Sequence, residues 1–441
     1  MSFAVVDALG WCSLARRSGD LDGSIPLRAA RACAPLLDGN AFGWQLRWDA
    51  ATTLVRRRGH WQLLDDTMVR SARACAPYLA AHGLAPPWWC EALADGPVIE
   101  LGRGPLARLR KPALGLWTGL LVRATPAGPL LCLDAGNRRS RAFVVHEHVI
   151  EERERWIPLL LELQPRDDGD SLALGGELAT LAAIAPGPAR RLATLAEHPR
   201  LAQAHLDFYD AQYFASKREG PTRKYRRMIA APVEADADAV TDAVAALAGD
   251  AAVEIEAIAR RHGADGVHDG GSSTPLLRFA CRNAVGFRAR FDGLRVHVEP
   301  DAAALARHAE AITARWQPLL RDDGEDHRGA LWYLGKYFTP HVDGEPHMFV
   351  KPAALFATPP GWATLVQGPR WLGAEILRGS IHTDRFHAAP AVFGFELGAR
   401  FELAAGAPLS WLLPYDPAVA RAAPEHAPPL PTAARGPEAR A

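Results

Sequence analysis

Asn40-Ala41-Phe42-Gly43-Trp44-Gln45-Leu46-Arg47-Trp48, reached through Pro35-Leu36-Leu37, is the stretch from which the fold can be read. Large residues alternate with small or polar ones, the period of a strand that buries one face. The wording returns 240 positions on, where Pro275-Leu276-Leu277 leads to Asn283-Ala284-Val285-Gly286-Phe287-Arg288-Ala289-Arg290-Phe291. Later matches keep the order. Ala124-Thr125-Pro126-Ala127-Gly128 and then Leu159 to Leu163 follow the first copy; Ala357-Thr358-Pro359-Pro360-Gly361 and then Phe393 to Leu397 follow the second. Matches in constant order at a nearly constant offset predict two copies of one domain.

Each copy is expected to run from that strand into a helix and back to short apolar strands. The helical stretches are Trp61 to His82, closing near Gly83 and Pro86-Pro87, and Asp301 to Leu320, opened by Pro300-Asp301. The apolar runs span Leu116–Leu133 and Phe143–Pro186, then Phe349–Val366 and Ile376–Pro414, punctuated by Gly and Pro as in a sandwich or barrel. Between the copies, Leu192–Phe214 and Ala235–His262 carry a helical period. From Ala418 onward Pro and Ala dominate with little to bury, which predicts a disordered tail. The expected class is therefore mainly β with inserted helices (α+β). A first β-rich repeat occupies residues 1–187, a helical linker 188–270, a second repeat 271–417 and the tail 418–441.

Composition bounds the partners. The chain of 441 residues can build two full cores. Fifty basic against fifty acidic residues leave no net field, so general nucleic-acid binding is not expected, although a local patch is left open. No apolar run reaches eighteen residues and the first residues lack a secretory pattern, so a cytoplasmic location and no membrane are expected. Six scattered cysteines without a Cys-x-x-Cys pair predict neither a zinc framework nor disulfides. Gly-x-Ser-x-Gly, P-loop and dinucleotide fingerprints are absent, against serine hydrolases, kinases and nicotinamide enzymes.

Thr358-Pro359-Pro360-Gly361-Trp362, Gly379-Ser380-Ile381-His382-Thr383-Asp384 and Gly406-Ala407-Pro408-Leu409-Ser410-Trp411 resemble an uncharacterised bacterial domain family. More distantly they resemble the β-clip fold of deoxyuridine triphosphatases, here as two degenerate tandem copies, with a double-stranded β-helix as the second choice. The resemblance implies a Gly-bearing first strand at Gly43 and Gly286, then Pro-Gly or Ala-Gly turns at Pro360-Gly361 and Ala127-Gly128. A third element falls at Ser380 to Asp384 and Val149 to Arg153, a fourth at Gly406 to Trp411 and Gly176 to Leu181. The departures decide the chemistry. Gln45 and Arg288 stand where the first motif would supply a metal-binding acid, and Glu151 and His382 where the third would supply the water-activating Asp. Hydrolysis of a triphosphate needs Mg²⁺ and an oriented water, so that activity is not expected to carry over.

Three constellations could carry chemistry. His146 and His148, at i and i+2, would share one face of a strand, and Glu152 could complete a mononuclear Fe, Mn or Zn site, a spacing similar to the first cupin motif. The alternative is a solvated, salt-bridged hairpin. His341 and Asp343, with His382, resemble the facial triad of iron- and 2-oxoglutarate-dependent oxygenases; the alternative is an Asp-Gly hairpin turn. Lys217, Arg218, Arg223, Lys224, Arg226 and Arg227 stand among aromatics and could grip phosphate, or could reach solvent from an interdomain helix. Trp362, with Trp88, Trp89, Trp332 and Tyr333, could line an apolar pocket between the copies or fill the core. The expected function is binding of a small molecule or protein partner by a catalytically degenerate tandem protein. The alternative is a mononuclear non-haem metal enzyme of oxygenase type in specialised metabolism.

Overall fold

The computed structural model describes residues 2–16, 34–84, 87–93, 96–101, 113–137, 142–166, 169–185, 192–194, 244–246, 253–257, 277–317, 336–340, 344, 346–350, 355–356, 361–368, 374–382, 389–390, 393–397 and 400–431. These residues are mainly β, in several sheets, with few helices.

The first half opens with β1 (Phe3–Asp7), β2 (Cys12–Ala15), α1 (Ala34–Asn40), β3 (Trp44–Arg57) and β4 (His60–Leu63). Helices α2 (Asp66–Ala81) and α3 (Pro87–Leu93) lead to β5 (Val98–Leu101), β6 (Ala113–Ala124) and β7 (Leu130–Asp134). β8 (Phe143–Val145), β9 (His148–Ile150), β10 (Ile157–Pro165) and β11 (Ser171–Ala183) complete it. Next come β12 (Leu192–Thr194), β13 (Val244–Ala246) and β14 (Val253–Ala257).

The second half runs β15 (Leu277–Arg282), β16 (Phe287–Phe291), β17 (Val296–Pro300), α4 (Ala302–Trp316), β18 (Phe338–Pro340) and β19 (His347–Val350). Then follow β20 (Leu355–Phe356), β21 (Ala363–Gln367), β22 (Ala374–Ile376), β23 (Gly379–His382), β24 (Ala389–Pro390) and β25 (Phe393–Leu397). β26 (Phe401–Leu403), β27 (Pro408–Tyr415), α5 (Pro417–Arg421) and β28 (Glu425–His426) end the described chain.

Strand pairing follows one order twice. In the first half one sheet runs β2-β3-β11-β7-β9, with β4 on β3; in the second, one runs β14-β15-β27-β21-β23. The partner sheet contains β6-β10-β8 with β5 on β6, and its counterpart runs β18-β19-β25-β22. The long strand β3 corresponds to two shorter ones, β15 and β16, and β16 carries β17 as β3 carries β4. A helix follows each hairpin. Asp65 caps α2 through the N–H groups of Thr67 and Met68, and Asp301 caps α4 through that of Ala304.

Each half has its own core. The first is centred on Trp11, Trp48 and Trp117, whose ring centroids lie 6.0 and 5.9 Å from Trp11. The second holds Phe279, Phe287, Tyr337, Phe401 and Leu412. A third apolar cluster draws on both halves: Phe42, Leu131 and Val149 meet Leu365, Leu413 and Tyr415. It forms where the β7 and β21 sheets turn their second faces on each other.

Three expectations change. Trp61 to Leu63 belong to β4, and the helix begins only at Asp66, where Asp65 supplies the cap. Within the stretch expected to be helical, β12, β13 and β14 are strands; β14 carries the alternation Val253-Glu254-Ile255-Glu256 and pairs antiparallel with β15. The rest of that stretch lies outside the described residues. Of the segment from Ala418, expected to be disordered, residues 418–431 are built into the first half, and the rest lies outside the described residues. β28 pairs parallel with β1, Ser2 N donates to Ala423 O at 3.1 Å, and Trp44 Nε1 donates to Ala422 O at 3.1 Å. Its anchor is backbone pairing, which composition does not report. Among the described residues no helix is long and apolar enough to cross a membrane.

Candidate functional site

The opening stretch builds the junction between the halves. In α1, Gly39 lies so close to β23 that a Cβ there would stand 2.6 Å from the Gly379 backbone. Only a glycine at position 39 allows that approach, whereas a Cβ at Gly379 would meet nothing nearer than Pro35 O at 3.6 Å. The chain then turns at Gly43 with φ +67, where a Cβ would meet Leu181 O at 2.6 Å. Between these contacts Phe42 packs edge-on against Tyr415, with centroids 4.9 Å apart.

This approach brings Asp38 to β23. Its Oδ2 lies 3.7 Å from His382 Nε2 and its Oδ1 3.9 Å from Arg421 Nη2. His382 is buried, Asp38 half-buried and Arg421 exposed, so the trio runs from the interior to solvent. Ser380 shares a face of β23 with His382, and its hydroxyl hydrogen-bonds the Tyr415 hydroxyl at 2.6 Å. Ala363 stands in register between His382 and Tyr415, and its small side chain leaves room for the phenol to cross. Burial pushes the Tyr415 phenol up to about 12, against the opposing effect of its bond to Ser380, so it stays protonated at neutral pH.

Two more polar clusters cross the junction, both from the short links that join the two sheets of a half. In the link between β22 and β23, Arg378 N donates to Asn137 Oδ1 at 2.6 Å, and Asn137 Nδ2 donates to Arg378 O at 3.0 Å. Its guanidinium donates to Thr180 Oγ1 at 2.8 Å and Asp134 O at 2.5 Å, and Thr180 donates on to Gln45 Oε1 at 3.1 Å. In the link between β8 and β9, Glu147 accepts from Arg278 and, at 3.1 Å, from Gln367 Nε2. The Arg278 guanidinium carbon sits 3.6 Å from the centre of the Trp411 ring, a cation–π contact. Each half thus sends one charged side chain of opposite sign into the other.

The residues expected to bind metal are placed differently. β8 ends at Val145 and β9 begins at His148, so His146 lies in the link and strand alternation does not put the two imidazoles on one face. His148 is buried, with Nδ1 3.3 Å from His146 O. Glu152 Oε1 accepts from the N–H groups of Glu154 and Arg155, closing a turn. Among the described residues no group of three or more His, Cys, Asp or Glu side chains is arranged to hold a metal ion. His341, Asp343 and the basic stretch Lys217, Arg218, Arg223, Lys224, Arg226 and Arg227 lie outside the described residues. Trp362 is half-buried beside β21. Among the described candidates, His382 enters a polar cluster of the junction, with Asp38 as its carboxylate neighbour.

Sequence reasoning missed Asp38, Glu147, Arg278 and Arg378. Asp38 had one signal: it stands between the two parts of the repeated stretch, next to Gly39, whose missing side chain makes the contact.

No family model matches the chain, and no curated protein matches it. Among solved structures it is similar to 2'-deoxycytidine 5'-triphosphate deaminase from Agrobacterium tumefaciens, at 11% identity and a TM-score of 0.26, over 85% of this chain and 88% of that one.

Proposed function

We propose that this chain is a tandem duplication of a β-clip-like domain that has lost its inherited catalysis and binds a small polar molecule at the junction of its copies. The duplication is supported by the pairing order that recurs in the two halves, with a capped helix after the corresponding hairpin. Loss of catalysis is supported by the use of the motif positions. Gln45 is buried and accepts a hydrogen bond from Thr180, and Arg288 forms an exposed ion pair with Glu402 at 3.1 Å. Neither position supplies an acid for a metal.

The observation that carries the binding reading is the spacing of Asp38, His382 and Arg421. At 3.7 and 3.9 Å these pairs are too long for direct hydrogen bonds, yet a polar atom can bridge each. Arg421 at the solvent end suits a carboxylate or phosphate, and Asp38 suits a donor on the same ligand. Thermal unfolding with amino acids, dicarboxylates and nucleoside phosphates tests this. One class is expected to raise Tm, by an amount equivalent to about 2.7 kcal/mol at a hundredfold excess over Kd. The rise disappears in Asp38→Asn and Arg421→Gln. A rise that persists in both variants places the ligand elsewhere.

A further inference from the structure

The hairpin of β3 and β4 carries a charge pattern that the junction does not use. β11 joins the register of β3 at Val55, and Arg56 N still donates to Asp170 O at 2.7 Å, so only beyond Arg56 do β3 and β4 pair with each other alone as a two-stranded ribbon. Arg56, at the base of that ribbon, is opposite Trp61, Arg57 is opposite His60, and Arg58-Gly59 forms the turn. Alternation puts Arg56 on one face, Arg57 and His60 on the other, and Arg58 at the tip. All three arginines are exposed, and none is held in an ion pair with a described residue.

The tip is also strained. Arg58 has φ 53 and Gly59 φ 85, the left-handed pair of a two-residue hairpin turn that Asn-Gly fits best. An arginine there crowds its Cβ against the backbone, a conformation kept where the side chain has a use.

We propose that this hairpin is a sequence-independent docking element for duplex DNA, entering the major groove. A flat anionic surface would meet one face of the ribbon and leave the other cation in water. A groove with phosphates on both walls meets both faces and the tip. The major groove of B-DNA admits a two-stranded ribbon and is about 8.5 Å deep, so the roughly 3–7 Å of free ribbon from Arg57 to the tip can enter it, with Arg56 at its rim. The major groove of duplex RNA is too narrow for it. The overall charge balance removes long-range attraction, so binding rests on this local patch.

Fluorescence anisotropy of a labelled duplex of about 20 base pairs, titrated with the full chain at about 50 mM salt, tests it. Binding is expected to weaken with salt. In Arg56→Gln/Arg57→Gln/Arg58→Gln it should weaken more than about tenfold, and the log–log salt slope should become shallower by about 2–3. Arg58→Asn should raise Tm while weakening binding, which separates the tip's charge from its role in folding. No duplex binding, or equal binding by the triple variant, overturns the proposal. So does tighter binding to duplex RNA or to phosphatidylcholine–phosphatidylserine vesicles.

Discussion

Arg378 is the residue on which the junction turns. Its guanidinium is buried with a carbonyl and a hydroxyl as partners, and its backbone is paired with the Asn137 amide, all drawn from the opposite half. Arg378→Met keeps much of the volume but leaves Asp134 O and Thr180 with buried groups unsatisfied, at about 1–3 kcal/mol each. Urea denaturation of this variant should show a loss of about 3 kcal/mol; a loss below about 0.5 kcal/mol contradicts the role. His308 gives a second test at this scale. It is buried on α4 against the edge of Tyr337, 4.8 Å between centroids, and burial lowers it to about 4. The unfolded chain, at about 6.5, then binds the proton first. Stability is therefore full above about pH 6.5 and falls as the pH drops toward 4, by roughly 2–3 kcal/mol. His308→Phe should flatten this part of the pH profile. Neither role was legible: a side chain's partners 198 and 244 residues away, or the burial of one imidazole among sixteen, leave no local mark in the sequence.

Elements were legible where the signal is local. The alternation at Trp44 to Trp48 gave a strand, and Pro300-Asp301 gave the start of α4, because period and capping act within a few residues. The segment after Ala418 and strand β14 were not, because each is fixed by a partner strand distant in sequence. The same holds for α1, a short helix set by what it touches. Gly39→Ala puts a methyl 2.6 Å from the Gly379 backbone, and backbone cannot move aside as a flexible side chain would. Overpacking of this kind costs about 1–3 kcal/mol. Scanning calorimetry should find Gly39→Ala clearly less stable, whereas Gly175→Ala, where a Cβ meets nothing within 4 Å, should stay close to the parent.

At the scale of the whole molecule, the order of strand pairing in the first half recurs in the second, and the proposed duplication rests on that recurrence together with the repeated stretches of sequence. What the sequence left unread is how the halves meet. Of the aromatic residues expected to line a pocket, Trp332 and Tyr333 lie outside the described residues and Trp362 is half-buried beside β21; Trp11, Trp48 and Trp117 fill the first core, and Phe42 and Tyr415 close the apolar part of the junction. The polar trio at its rim joins α1, β23 and α5, three elements that no motif links.

Histidine-selective ¹³C–¹⁵N NMR of the full chain, with and without a stabilising ligand from the thermal screen, tests the binding site directly. The His382 imidazole, assigned through His382→Gln, is expected to shift more than any other of the sixteen, and the shift should vanish in Asp38→Asn. A ligand that stabilises the protein while leaving the His382 resonances unmoved would contradict the account.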